Sequence, residues 1–169
     1  MLGPNSEVEA LIERRRALGQ DRFDEVWEGE YHMSPGPSGP HAFVDGEMVG
    51  LLRPLARAAG LHVSTGFNLG AGPDDFRVPD GGCHRERPGG IWAPTAAIVW
   101  EILSPGDETY AKFDFYAAHG VEEIIVADPG TRTVRCFRLA APPGNYTESE
   151  TSDLLGIGAA HLAAEIDWP

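Results

Sequence analysis

The chain is 169 residues long, which suits one domain and leaves no room for two full cores. With 42% hydrophobic and 23% charged residues it can bury a real core, which excludes a disordered or fibrous chain. Thirteen basic against 26 acidic residues leave a net charge of −13, which argues against a broad phosphate-binding face, so any polyanion must be met at a local basic patch or through bound cations.

Ser6 followed by Glu9 reads as a capping box that opens a first helix, with Val8, Leu11, Ile12 and Leu18 on one side and Gly19 as its stop. The run Arg14-Arg15-Arg16 suits the helix dipole at its C-terminal end, with phosphate binding as the other reading. Glu25 to Met33 reads as one strand, Trp27 and Tyr31 on one face and His32 on the other. Ser34 to Pro40 cannot hold regular structure and predicts a loop. Helical spacing then runs from His41 to Ala59, with a kink expected at Pro54 and a stop at Gly60. Leu61 to Leu69 alternates as a strand, Gly70 to Asp75 turns, and Phe76-Arg77-Val78 leads into Pro79-Asp80. Gly81 to Pro94, rich in Gly and Pro, predicts an extended loop. Ala96 to Leu103 is the strongest strand, and its continuous run Ala97-Ile98-Val99-Trp100 suits a central strand covered on both faces. Ser104-Pro105-Gly106 breaks it. Asp107 to His119 reads as a helix ended by Gly120. Glu123 to Ala127 is a second buried strand and Thr131 to Leu139 its hairpin partner. Pro142 to Asp153 reads as polar loop, and Leu154 to Trp168 is weakly patterned.

Two cysteines, Cys83 and Cys136, allow at most one bridge and form no zinc spacing. No apolar run approaches the length of a membrane span, and Met1 to Glu7 lacks the basic-then-apolar pattern of a secretory signal. The expectation is a cytoplasmic protein.

Glu101 carries most of the chemical signal. It sits between Trp100 and Ile102 in the most hydrophobic strand, where a carboxylate is costly to bury without a cation or strong donors. Either it lies at the strand's exposed end or pairs with an arginine, or it is a metal ligand or catalytic group. Asp80 follows Pro79 at a rigid turn that can aim its carboxylate, although most Pro-Asp pairs only start turns. Lys112 shares a helix face with Tyr116, on a helix whose aromatic residues pack it on the sheet, and as a lone helix lysine it could equally be solvated. Together the three suit metal-assisted phosphodiester hydrolysis. Two hard oxygen ligands hold Mg²⁺ or Mn²⁺, the cation lowers the pKa of a water, and a lysine orients or activates it. His41 either shapes this site or caps its helix. Asp107 either binds the cation or caps. Cys83 with His84 is a weaker soft-metal pair, and Trp92 and Trp100 read as packing residues rather than base-stacking platforms.

The ordered set Val78-Pro79-Asp80, Glu101-Ile102-Leu103-Ser104-Pro105, Lys112 with Tyr116, Gly120-Val121-Glu122-Glu123 and Ile125-Val126-Ala127-Asp128-Pro129 resembles the Uma2 family, also known as DUF820, of restriction-endonuclease-like proteins. Gly29 to Pro35 and His41 resemble the family's first strand and helix start, so the likeness spans roughly Glu25 to Leu139. It implies an α/β restriction-endonuclease-like fold of the PD-(D/E)XK class, a central mixed sheet flanked by helices. It also implies Asp80 and Glu101 as metal ligands, completed by the main-chain carbonyl of Ile102. In the usual motif the lysine stands two residues after the glutamate. Leu103 holds that place here, so the resemblance assigns the role to Lys112.

The expected organisation is an N-terminal helix over 1–24 and a nuclease-fold unit over 25–169, in one domain. The expected activity is Mg²⁺-dependent hydrolysis of nucleic acid, DNA before RNA, by a homodimer without membrane contact. The alternatives are a catalytically silent binding or regulatory module of the same fold, and a hydrolase of small phosphodiesters.

Overall fold

The computed structural model describes residues 4–140 and 144–169. The first helix, α1 (Pro4–Ala17), starts two residues before Ser6, so the capping box does not open it; Gly19, in the left-handed region, follows its end as expected. Val8, Leu11 and Leu18 remain exposed, so this helix buries little of its apolar side. Arg15 ties it down by a bidentate pair to the buried Asp24, together with bonds to the carbonyls of Gln20 and Ser34. That is neither a phosphate contact nor a mere dipole effect.

The segment expected as one strand is a hairpin, β1 (Glu25–Trp27) and β2 (Glu30–His32), because Glu28 and Gly29 both take positive φ and reverse the chain. Trp27 and His32 therefore stack on one face, with ring centres 4.3 Å apart. The long helix α2 (Gly39–Ala58) follows the loop, capped by Ser38 and carrying Pro54 inside. Leu61 to Leu69 is not one strand but two, β3 (His62–Thr65) and β4 (Asn68–Gly72), which separate at Gly66 and join different sheets. After β5 (Asp75–Arg77), the stretch expected as loop contains β6 (Gly81–His84), fully buried, and the short β7 (Trp92–Ala93). Glycines hide β6 from pattern reading, and the packing explains them. A Cβ on Gly81 would lie 2.0 Å from the Trp100 ring, and one on Gly82 would lie 2.6 Å from the Ile98 carbonyl.

The strongest predicted strand is β8 (Ile98–Ile102), buried throughout. The expected helix after it begins with a 3-10 turn (Thr109–Lys112) and continues as the short α3 (Phe113–Ala118). Two more strands, β9 (Glu123–Asp128) and β10 (Thr133–Leu139), form the expected hairpin. The polar region taken as loop supplies β11 (Tyr146–Ser149) and β12 (Thr151–Ser152), with Pro142 outside the described residues; the tail supplies β13 (Ile157–Gly158) and α4 (Ala159–Glu165).

The main sheet is six-stranded and mixed, in the order β11-β10-β9-β8-β6-β3, with β8 and β9 parallel. Helices α2 and α4 cover one face, over Ile98, Trp100, Ile102 and Ile125. On the other face α3 packs its Phe115 and Tyr116 over Val99, Ile124 and Val126. A second, five-stranded sheet runs β2-β1-β5-β4-β7. Its Leu69 shares the α3 core, and the Arg77 guanidinium lies against the rings of Trp27 and Phe115.

Candidate active site

Alternation along β8 decides where Glu101 points. Ile98, Trp100 and Ile102 face α2 and α4, so Val99 and Glu101 face α3. The antiparallel register of β6 on β8 pairs Gly81 with Trp100, and one step further sets Asp80 across from Glu101, on the same face. Asp80 is fixed there at both oxygens. Its Oδ2 accepts the Ile102 amide at 2.7 Å, and its Oδ1 lies 2.8 Å from His41 Nε2. His41, near the start of α2, also reaches the Ser104 hydroxyl at 3.2 Å through Nδ1. The hydrogen bond to Asp80 raises the His41 pKa against the opposing effect of burial.

Glu101 is buried, yet its charge has partners. Tyr116 donates a short hydrogen bond to its Oε1, and Lys112 Nζ lies 3.2 Å from the same oxygen. The spacing of four residues puts Lys112 and Tyr116 on one side of the turn that packs against β8. Burial pushes the Glu101 pKa up to about 7, opposed by Lys112 and reinforced by the negative charge of Asp80. The Lys112 ammonium also pairs with Glu25 Oε1 at 3.0 Å. Burial works against its charge, but Glu101 and Glu25 outweigh it and the Lys112 pKa is raised. Lys112 therefore stays protonated at neutral pH and cannot accept a proton there; two of its three N–H donors are engaged by Glu25 and Glu101, which leaves the third.

Glu25 is the residue that sequence reasoning missed. It is buried at the start of β1, where Trp27 Nε1 donates to Oε2 and the Val78 amide to Oε1, each at 2.7 Å. A single glutamate at a strand start carries no signal by itself. The signal in reach was compositional: Lys112 is the only lysine in the chain, beside twelve arginines.

Glu25, Asp80, Glu101 and Lys112 open on one cleft of about 540 Å³, walled by the loop from Met33 to Ser38 and by Ser104 to Glu108. Asp107 resolves toward capping: its Oδ1 accepts from Thr109 and its Oδ2 from the Ser104 amide. Trp100 is a buried packing residue whose Nε1 donates to Asp45, and Trp92 stacks edge-on with Phe76. His84 is buried against Ser64 rather than paired with Cys83 in a soft-metal site.

Among the described residues, no three His, Cys, Asp or Glu side chains come together to hold a metal ion. The donors at the cleft nevertheless suit a hard cation. Three carboxylates face one permanent cation there, and no residue among those described bonds to Glu101 Oε2. Mg²⁺ is commonly held by one or two carboxylates, with water and substrate oxygens completing its shell, so the Asp80–Glu101 pair fits in kind and number.

The fold is that of known structures. A protein from Anabaena variabilis ATCC 29413, described as a "putative nuclease belonging to DUF820", superposes with a TM-score of 0.65 over 85% of this chain and 90% of its own, at 20% identity. The DrdV–DNA complex aligns over 92% of this chain and 13% of its own at 16% identity, with a TM-score of 0.43. None of the curated proteins matches the sequence. Among the described residues no helix is long and apolar enough to cross a membrane. The profile of Uma2, described as "Putative restriction endonuclease", matches residues 10–163; with the restriction-endonuclease-like fold in place, the chain belongs to the Uma2 family.

Proposed function

We propose that this chain is a Mg²⁺-dependent endonuclease, active also with Mn²⁺, that hydrolyses phosphodiester bonds in nucleic acid, DNA before RNA. One observation carries the reading: Asp80 and Glu101 line one cleft, with the only lysine held between Glu101 and Glu25. Asp80 and Glu101, with the Ile102 carbonyl, would hold the cation. When bound, it would supply Lewis-acid stabilisation of charge on the phosphate and an acidified water.

The chain's own residues then have separate tasks. His41 and the Ile102 amide orient Asp80. Tyr116 fixes the Glu101 carboxylate and stabilises its charged form. Lys112 remains an ammonium, so it orients the attacking water and offsets charge on the phosphate as a donor, not as a base. Glu25 holds Lys112 in place. The functional unit is 25–169, with α1 as an appendage. The exposed Val8, Leu11 and Leu18 fit a homodimer contact, in a protein of the cytoplasm.

Supercoiled plasmid, linear DNA, RNA and a small phosphodiester incubated with Mg²⁺ or Mn²⁺ test this. Cleavage should need the cation and fall by about 100-fold or more in Asp80→Ala and Glu101→Ala. A silent module of the same fold would leave every substrate intact. Turnover of small diesters alone would instead make the protein a small-phosphodiester hydrolase.

A further inference from the structure

A second cavity lies at the far end of α2, and its charge is the reverse of the cleft's. It has a volume of about 680 Å³, and its lining includes Arg53 and Arg57 from α2, His62 and Ser64 from β3, and Arg87 from the loop after β6. No Asp or Glu lines it, in a chain with 26 acidic residues. Arg53 and Arg57 are one helical turn apart and share a side. Five other arginines find acids: Arg15 pairs with Asp24, Arg77 with Asp75, Arg85 with Glu122, Arg135 with Glu148 and Arg138 with Asp153. Arg53, Arg57 and Arg87 form no ion pair or hydrogen bond among the described residues. The floor is rigid: Ser64 Oγ lies 2.8 Å from Nε2 of the buried His84, which packs edge-on against Phe67.

We infer that this cavity binds phosphate groups, at a site separate from the cleft. Three guanidinium groups lining one acid-free cavity match the planar, multi-donor recognition that phosphate oxygens accept. His62 adds a further donor at the rim. Along α2, His41 and Arg57 are sixteen residues apart, roughly 24 Å at the helical rise, so one phosphate cannot touch both sites. The inference does not depend on catalysis in the cleft. The phosphate has two possible sources, the backbone of a nucleic-acid strand or a free nucleotide.

Calorimetric titration of the whole chain in EDTA, with inorganic phosphate, AMP and a ten-nucleotide single-stranded DNA, tests the site. Chelation leaves the cleft with its carboxylates, which repel anions. Saturable phosphate binding is expected in the wild type and in Asp80→Ala. It should weaken by about tenfold or more in the double variant Arg53→Ala/Arg57→Ala, and again in Arg87→Glu. All three arginines are exposed, so the variants should unfold at the wild-type temperature. A tighter, salt-steep oligonucleotide isotherm that the variants flatten would identify a strand as the source; AMP binding as tightly as the oligonucleotide would identify a nucleotide. No saturable binding in the wild type would overturn the inference. So would binding that the arginine variants leave unchanged, or a change in self-association alone, which would mark an acidic face of a second copy as the occupant.

Discussion

Lys112 is where the site and the fold depend on each other most. Its ammonium joins two buried carboxylates, so its loss leaves both Glu25 and Glu101 without a countercharge. Lys112→Met should cost about 3–5 kcal/mol in urea unfolding, and cleavage should fall beyond what that loss explains. Glu25→Gln separates the roles: it keeps an oxygen acceptor for Val78 or Trp27 but withdraws one charge from Lys112. Cleavage should drop roughly tenfold through misplacement of the ammonium, with Mn²⁺ affinity unchanged. Glu101 gives a pH signature in the metal-free protein. Its pKa rises from the ordinary 4.5 to about 7 on folding, mainly through burial. Between those values the native state holds a proton that the unfolded chain has released, so this residue's contribution to stability falls as pH rises and is lowest above about 7. Chemical denaturation from pH 4.5 to 7.5 should show that decline, and Glu101→Gln should remove this residue's share of it, leaving the part that the raised His41 adds.

At the scale of elements, legibility followed apolar pattern. Strands β8 and β9 and helix α2 were readable because their buried residues are Ile, Val, Leu and Trp at regular spacing. Glu101 stood out as a carboxylate inside the most hydrophobic strand, and Asp80 and Lys112 were joined to it by a turn, a helix face and the family likeness. Strand β6 could not be read: Gly81 and Gly82 serve the close approach of Trp100, Phe67 and the β8 backbone, and glycine spells loop when the neighbour is unseen. The Glu28–Gly29 reversal was hidden for a related reason, since a left-handed glutamate leaves no mark in composition. Glu25 was invisible because its partners, Lys112 and Val78, come from distant parts of the chain. Gly81→Ala tests the packing account. The new methyl would collide with the Trp100 ring, and the variant should lose about 2–3 kcal/mol in thermal or urea unfolding.

Across the whole molecule, charge and thiols are arranged by distance. The acidic cleft and the arginine-lined cavity occupy opposite ends of α2, so a net charge of −13 coexists with two proposed routes to a phosphate, one through a cation and one through guanidinium groups. Cys83 in β6 and Cys136 in β10 are separated by β8 and β9, three strand spacings or roughly 14 Å, too far for a disulfide. Burial pushes both thiols up to about 12, so a thiol reagent should modify neither in the native protein and both after unfolding.

Whether Asp80 and Glu101 together hold a divalent cation is decided by calorimetric titration of Mn²⁺ into the wild type, Asp80→Ala and Glu101→Ala, each first shown to be folded by circular dichroism. Saturable binding in the wild type, abolished by either substitution, is expected if they share the cation. Folded variants that bind Mn²⁺ as the wild type does, or a wild type that binds none, would contradict it.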